Sequence, residues 1–577
     1  MRGSDAVVEM LIQHGVKHVF GVPGDTSMNL HDSFADRANE IQHILCRDER
    51  NAGYMADAYA RVSGKTGVVE TPSGGGALYV VPAVSEAQIS CIPMVCLSSE
   101  ITMSSEETNA LTDCNQEQLM KAVTKWNTKI RMVQKVPQLM RKAFRVAAGG
   151  KPGAVHLSIP ENILGGTAEF PPEELIGSEL TAHQSPFRNG PDQTDIEKTR
   201  EMFLEVHQPV IIAGGGVHLS AAYEELDQFV NKFHVPVATS VNGKGSIEEY
   251  SAYAVGPIGA NGGSEEGLKV VQEADLVLVL GTKLNNVTTM GKIAINKSAK
   301  VIHVDISEEI LDDNIRVNLP VMSDAKLFLA KLTEAMEDKK EICAQRFEEW
   351  NTWIAQKIRE KRARINEEIN SKAELVTPSR IIDTLERLTD ENTYFVGDAG
   401  TPTPYLASYL RLKKAGKYAV LPRAHGSLGY ALPAAIGIQF AKPSSRVISL
   451  FGDGSFGMAL GDLETAKRFN LPIIFIHLEN NTYGWIKTIQ MLYYNEKYFG
   501  VDFSQIDVVK VAEGFGLKAR KIDSNSGLEE GMKWALEQKG PVLLNLIIEP
   551  PTKVVPPVLK WERDSKIPVS ERKKLTY

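Results

Sequence analysis

Short apolar runs separated by longer mixed stretches set the rhythm of this chain. HVFGV, GVVET, IPMVCLS and AVHLSIP come first, then PVIIAGGG, VPVATS, DLVLVLG and KVIHVDI, then TYFVGD, RVISLF, PIIFIHLE and VLLNLII. Such compact runs, apolar at successive positions, suit strands buried on both faces. The intervening stretches carry helical spacing, as in the helix starting at Ser4 and in ILCRDERNAGYMADAYARVSG, which reads as strand, turn and helix. That alternation predicts an α/β chain of three consecutive open parallel-sheet domains covered by helices. The break HQSPFRNGPDQTD separates residues 1–185 from a second domain over 186–365, and a third over 366–550 contains the linker Leu375 to Pro378 near its start, with a tail over 551–577. IAQKIREKRARINEEINSKAE predicts an exposed helix leading into that linker, and its mixed charges need no nucleic-acid partner. The tail reads as a segment packed on the body or on a neighbour.

Composition narrows the function classes. The chain has 577 residues, too many for one hydrophobic core, with 43% apolar and 24% charged positions. A formal charge of −8 provides no broad basic field, which argues against nucleic acid. The five cysteines, at 46, 91, 96, 114 and 343, show no metal-ligand spacing, and Cys91 and Cys96 read as small buried hydrophobes. MRGSDAVVEMLIQHG reads as a folded helix without the apolar core of an export signal or a membrane span, so a cytoplasmic location is expected.

One βαβ unit carries candidate chemistry. RVISLF leads directly into GDG, and LPIIFIHLE ends at Asn480. In a right-handed crossover both strands point the same way, so Asp453 and Asn480 emerge at the carboxyl end of the sheet, where open α/β folds bind ligands. A carboxylate and an amide oxygen are hard ligands suited to magnesium or calcium, and glycines let the backbone approach phosphate oxygens. An ordinary turn and strand end would look the same over so short a motif. TPSGGGALYV lacks the lysine and hydroxyl of a nucleotide P-loop, and IIAGGGVHLS lacks the full dinucleotide fingerprint. Glu49, at a strand-to-helix junction, could be a catalyst or a helix-start acid, and His425 could contact a cofactor or satisfy a loop carbonyl. Trp485 and Ile486 could line a pocket or pack in the core.

Taken in order, GVPGD, RDERNAGYMADAYARVSGKTG, PSGGGA, AGGG, NGKGS, IHVDIS, HGSLGYALPAAIG and GDGSF with Asn480 resemble the thiamine-diphosphate-dependent enzymes. The likeness is to the acetolactate synthase, pyruvate decarboxylase and benzoylformate decarboxylase group, above all to the acetolactate synthase large subunit. It implies a pyrimidine-binding first domain, a Rossmann-like central domain and a diphosphate- and magnesium-binding third domain. Asp453, Asn480 and the carbonyl of Thr482 would hold Mg2+. The frame LENNTYG, with Glu479 preceding, selects Asn480 over Asn481 as the ligand. Gly400, Thr401, His425, Gly426, Gly452, Gly454, Ser455, Tyr483 and Gly484 would contact thiamine diphosphate. Glu49 would bond its aminopyrimidine, Leu428 would hold it bent, and Gln116 would orient a substrate oxygen or intermediate, or make an interface hydrogen bond.

The implied activity is that of a carbon–carbon lyase or transferase. A small 2-oxo acid such as pyruvate would lose carbon dioxide and the resulting enamine would join a second carbonyl. Release of an aldehyde, as in a non-oxidative decarboxylase, and a noncatalytic cofactor-binding protein are the alternatives. The resemblance implies a homodimer with active sites between chains, or a homotetramer, and no membrane. Asn115, Ile489 and Lys283 depart from the aromatic and arginine positions of typical acetolactate synthases, which argues against bound FAD and leaves the acceptor open. Asp25, the acid of GVPGD, is a further candidate for proton handling.

Overall fold

The computed structural model describes residues 1–574; the last three positions of the predicted tail lie outside the described residues. The described residues form three six-stranded sheets. The first, in order β2-β1-β3-β4-β6-β5, is built from β1 (His18–Gly21), β2 (Gln42–Leu45), β3 (Gly67–Thr71), β4 (Met94–Glu100), β5 (Trp126–Lys129) and β6 (Ala154–Pro160). The second, in order β12-β11-β10-β7-β8-β9, uses β7 (Pro209–Ala213), β8 (Val237–Thr239), β9 (Ala254–Pro257), β10 (Leu276–Leu280), β11 (Lys300–Asp305) and β12 (Leu319–Met322). The third, in order β14-β13-β15-β16-β18-β17, uses β13 (Tyr394–Gly397), β14 (Ala419–Val420), β15 (Val447–Gly452), β16 (Ile473–Glu479), β17 (Lys518–Ile522) and β18 (Val542–Ile547). Pairing is parallel, as the uninterrupted apolar runs require. Every residue of β4, β6, β10 and β16 is buried.

Two compact units divide the chain. The first comprises residues 1–187, 424–447 and 458–473, and the second residues 188–423, 448–457 and 474–577. In the first unit the helix Glu49–Ser63 is central. Asp48 caps it by accepting the backbone N–H groups of Arg50 at 2.8 Å and Asn51 at 3.4 Å, and left-handed Gly64 ends it. Positions 51 to 61 are all buried, because the helix also packs against the helix Ala431–Ala441.

That packing is fastened by a buried polar chain. The Tyr430 hydroxyl donates to Asp57 at 2.5 Å, Arg61 donates to Asp57 at 2.7 Å and to Glu86 at 3.3 Å, and the Glu86 carboxylate accepts the His425 backbone N–H at 3.2 Å. Arg61, Asp57 and Glu86 are buried. Removing the cation strands two carboxylates, so Arg61→Ala should destabilise the protein by about 3–5 kcal/mol in denaturant titration.

The charged helix departs from expectation. Glu348–Ile369 buries Trp350, Ile354, Lys361 and Ile365 along one stripe. Burial, with Arg362 and Lys244 nearby, pushes the Lys361 ammonium down to about 7. The segment after it is no free linker: Val376 bridges to Ile548 in parallel and Pro378 opens the next helix, Pro378–Leu388. The tail packs on the second unit. Trp561 is buried with its ring centroid 4.3 Å from that of Trp485, and Tyr493 donates to Asp564 at 2.6 Å.

Candidate active site

In the second unit β13, β15 and β16 lie side by side, and their carboxyl ends carry Asp398, Asp453 and Asn480. The Asp453 carboxylate accepts the Asn480 backbone N–H through Oδ2 at 3.0 Å. Asn481 then takes a left-handed conformation, φ +55°, which brings the next carbonyl round toward the same point. The Asn480 carboxamide is oriented with its oxygen 3.2 Å from both Asp453 Oδ2 and the Thr482 carbonyl oxygen. Hydrogen bonding alone would turn that amide over, so that its NH2 donates to both. Three converging oxygens instead make sense around a cation. Octahedral Mg2+ with bonds of about 2.1 Å sets neighbouring oxygens about 3 Å apart. The donor set therefore fits Mg2+. The Asn481 side chain turns away and donates to Glu479 at 3.4 Å.

A buried polar layer supports this cluster. His477 Nδ1 meets Asn545 Oδ1 at 2.8 Å, and Asn545 donates to Glu479 at 2.6 Å. His477 Nε2 stands 3.6 Å from Asp453 Oδ1, buried and without a hydrogen-bond partner. Burial lowers the His477 pKa and raises that of Asp453, so a cation beside Asp453 would favour its ionised form. Ser455 donates to Asp398 at 2.8 Å, tying β13 to the GDGS turn. A Cβ on Gly454 would sit 2.4 Å from the Tyr483 ring, so only glycine lets these two segments meet.

In the first unit Glu49 is the first residue of its helix and half-buried. Burial lifts its carboxyl above the usual carboxylate range, and the charges of Asp48 and Glu70 add to this. Next to it, Asn51 donates to Asp462 at 2.7 Å, while Arg47 N–H at 3.1 Å and the Thr465 hydroxyl at 2.8 Å bond the same carboxylate. Burial pushes Asp462 up to about 6 from an ordinary 3.8. The folded state therefore binds more protons than the unfolded chain between those values, and stability falls as pH rises through the window. Wild type should lose roughly 2–3 kcal/mol between pH 4 and 7 relative to Asp462→Asn, read by denaturant titration at each pH. Asn51 Oδ1 has no partner, so the Asn51 amide can turn over and accept from the new amide.

The carboxyl-terminal TPP binding domain of the thiamine pyrophosphate enzymes matches residues 398–546, the central domain 196–332 and the N-terminal TPP binding domain 1–119. The acetolactate synthase large subunit of Buchnera aphidicola is 30% identical over 543 residues, covering 93% of this chain and 92% of that one. The probable acetolactate synthase large subunit of Methanocaldococcus jannaschii is 30% identical over 558 residues, covering 95% and 92%. Acetolactate synthase isozyme 3 large subunit of Escherichia coli is 29% identical over 541 residues, covering 93% and 92%. This chain belongs to the thiamine pyrophosphate enzyme family.

In this thiamine pyrophosphate enzyme, Gly452, Asp453, Gly454, Ser455, Asn480, Thr482, Tyr483 and Gly484 gather with Gly400 and Thr401 in the second unit. Glu49, Gln116, His425, Gly426 and Leu428 belong to the first. His425 is exposed and its ring meets Ser85 at 2.7 Å. Gln116 is fully buried: its amide bonds Ser98 and donates to the Ser99 carbonyl at 2.9 Å, and Ser98 also meets His156 at 2.6 Å. Asp25 is exposed. Asn115 caps its helix by accepting the Gln118 N–H at 3.0 Å, and Ile489 packs with Trp485 and Trp561. Ile486 is exposed, so only its tryptophan neighbour joins that core. No local motif marks Asp398, His477 and Asn545, whose contacts depend on strand adjacency, or Asp462, which ends a short 3-10 turn and meets Asn51 of the helix Glu49–Ser63. Among the described residues, no helix is long and apolar enough to cross a membrane.

Proposed function

We propose that this chain is a thiamine-diphosphate-dependent carboligase of the acetolactate synthase type, which decarboxylates a small 2-oxo acid such as pyruvate and joins the retained fragment to a second carbonyl. The observation that carries the reading is the convergence of three oxygens, with Asn480 Oδ1 3.2 Å from both Asp453 Oδ2 and the Thr482 carbonyl oxygen. Those oxygens would hold the Mg2+ that carries the cofactor's diphosphate, with Gly400, Thr401, Gly452, Gly454, Ser455, Tyr483 and Gly484 around it. When bound, the cofactor supplies a cationic ring that accepts the electron pair released as carbon dioxide leaves.

The chain's own groups do the rest. Glu49 holds a proton at the aminopyrimidine, a task suited to a carboxyl lifted by burial. Leu428 braces the cofactor's bend, while His425 and Gly426 border it. Gln116 acts as a positioning residue through Ser98 and Ser99. Two copies of the chain would complete each other's sites, as a homodimer or a dimer of dimers. Leu78 and Tyr79, just after PSGGG, are 49% and 64% exposed, and Leu111 is 88% exposed, apolar surface suited to a second copy.

The test is incubation of purified protein with thiamine diphosphate and Mg2+ against a panel of 2-oxo acids, with and without acceptor aldehydes or oxo acids. Mass detection should find a ligated hydroxyketone or acetohydroxy acid. Aldehyde as the sole product would assign a decarboxylase instead, and no product from any donor would assign a noncatalytic role.

A further inference from the structure

Among the described residues, one group of side chains outside the cofactor residues has metal-ligating composition: His31, His43 and Glu70, all in the first unit. They come from three elements, the helix Met28–Asp36, β2 and β3. β1 lies between β2 and β3, so Glu70 has to reach across it. Its register partner there is Gly21, and a Cβ at that position would fall 2.6 Å from Glu70 Cγ and Oε1. The missing side chain is what lets the carboxylate cross the strand. Glu70 Oε1 then meets His31 Nε2 at 2.9 Å and His43 Nε2 at 3.0 Å. The two rings stand at 71° to each other.

Two neutral imidazoles donating to one carboxylate oxygen would explain those two contacts but not the rest of the group. Glu70 is 1% exposed, and its second oxygen, Oε2, is buried without a hydrogen-bond partner. A buried carboxylate oxygen left without a hydrogen bond is unfavourable and calls for a partner beyond the two imidazoles, an ion or a water. The histidine side chains keep 19% and 12% exposure, so solvent reaches the ring side of the group. Tetrahedral zinc with bonds of about 2.0–2.1 Å spaces its ligands about 3.3 Å apart, a small outward shift from the two Glu70 contacts, and all three ligand atoms already lie within 4.8 Å of one another.

We propose that His31, His43 and Glu70 form a binding site for a divalent transition-metal ion of the zinc type, with three protein ligands and solvent in the fourth position. Two imidazoles and one carboxylate select against Mg2+, which takes oxygen ligands, so this site and the Asp453 cluster discriminate between metals. Bound metal would join β2, β3 and the helix Met28–Asp36 across the glycine of β1, and β2 leads directly to Glu49.

The experiment is calorimetric titration of chelator-stripped full-length protein with Zn2+ in excess Mg2+, with X-ray absorption of the loaded sample. One equivalent should bind per chain, raise the unfolding midpoint and show a nitrogen–oxygen shell containing two imidazoles. Glu70→Gln and His43→Ala should weaken binding at least 100-fold. Absence of stoichiometric binding, sulfur in the shell, or variants binding as well as wild type would overturn the proposal. Should the variants fail to fold, the X-ray absorption shell of the wild-type protein decides alone.

Discussion

Glu49→Gln should lower turnover by about 10²–10⁴-fold while leaving thiamine diphosphate bound within a few-fold of wild type. Glutamine preserves the size of the side chain, and the helix start is secured by Asp48, whose cap does not involve the Glu49 carboxyl. What disappears is a carboxyl able to take up and release a proton, which glutamine cannot do. Burial, reinforced by Asp48 and Glu70, has already moved this carboxyl upward, the direction a proton-handling acid requires. Two readouts check it: turnover on the best 2-oxo acid, and proton exchange at the reactive carbon of bound cofactor followed by NMR. Both should fall together. Unchanged exchange at full occupancy would remove Glu49 from the mechanism.

Asp453→Ala should act on binding. Asp453 supplies the only formal charge among the three converging oxygens, since Asn480 and Thr482 contribute neutral amide oxygens. Its loss also frees the Asn480 backbone N–H that Oδ2 accepts, loosening the turn that aims the Thr482 carbonyl. Changes to residues that merely support a metal ligand cost about 10–100-fold in affinity, so loss of the charged ligand itself should exceed about 100-fold. The measurement is the affinity for thiamine diphosphate at saturating Mg2+, read by intrinsic fluorescence. An unchanged curve would place the cation elsewhere.

How much of this was legible beforehand follows from burial. β4, β6, β10 and β16 are buried at every position and announce themselves as apolar runs. β5 and β17 are edge strands with intermediate or exposed residues, and WNTK and KARKI carry no such signal. Asp453 and Asn480 were readable because each directly follows a strong run. Asp398 was not, because nothing local says that β13 lies beside β15. Lys361 shows the converse: the charge pattern of its helix predicts exposure, although the lysine shares a buried stripe with Ile354 and Ile365. The His31, His43 and Glu70 group depends on one register pair, Gly21 with Glu70, that no spacing rule supplies.

We propose that Asp453, Asn480 and Thr482 form the magnesium site through which thiamine diphosphate is held. It is tested most directly by titrating metal-free wild-type protein with thiamine diphosphate, once with Mg2+ and once with EDTA. Binding should be saturable with Mg2+ and weaken at least about 100-fold with EDTA. Equal binding under both conditions, or none under either, would contradict it.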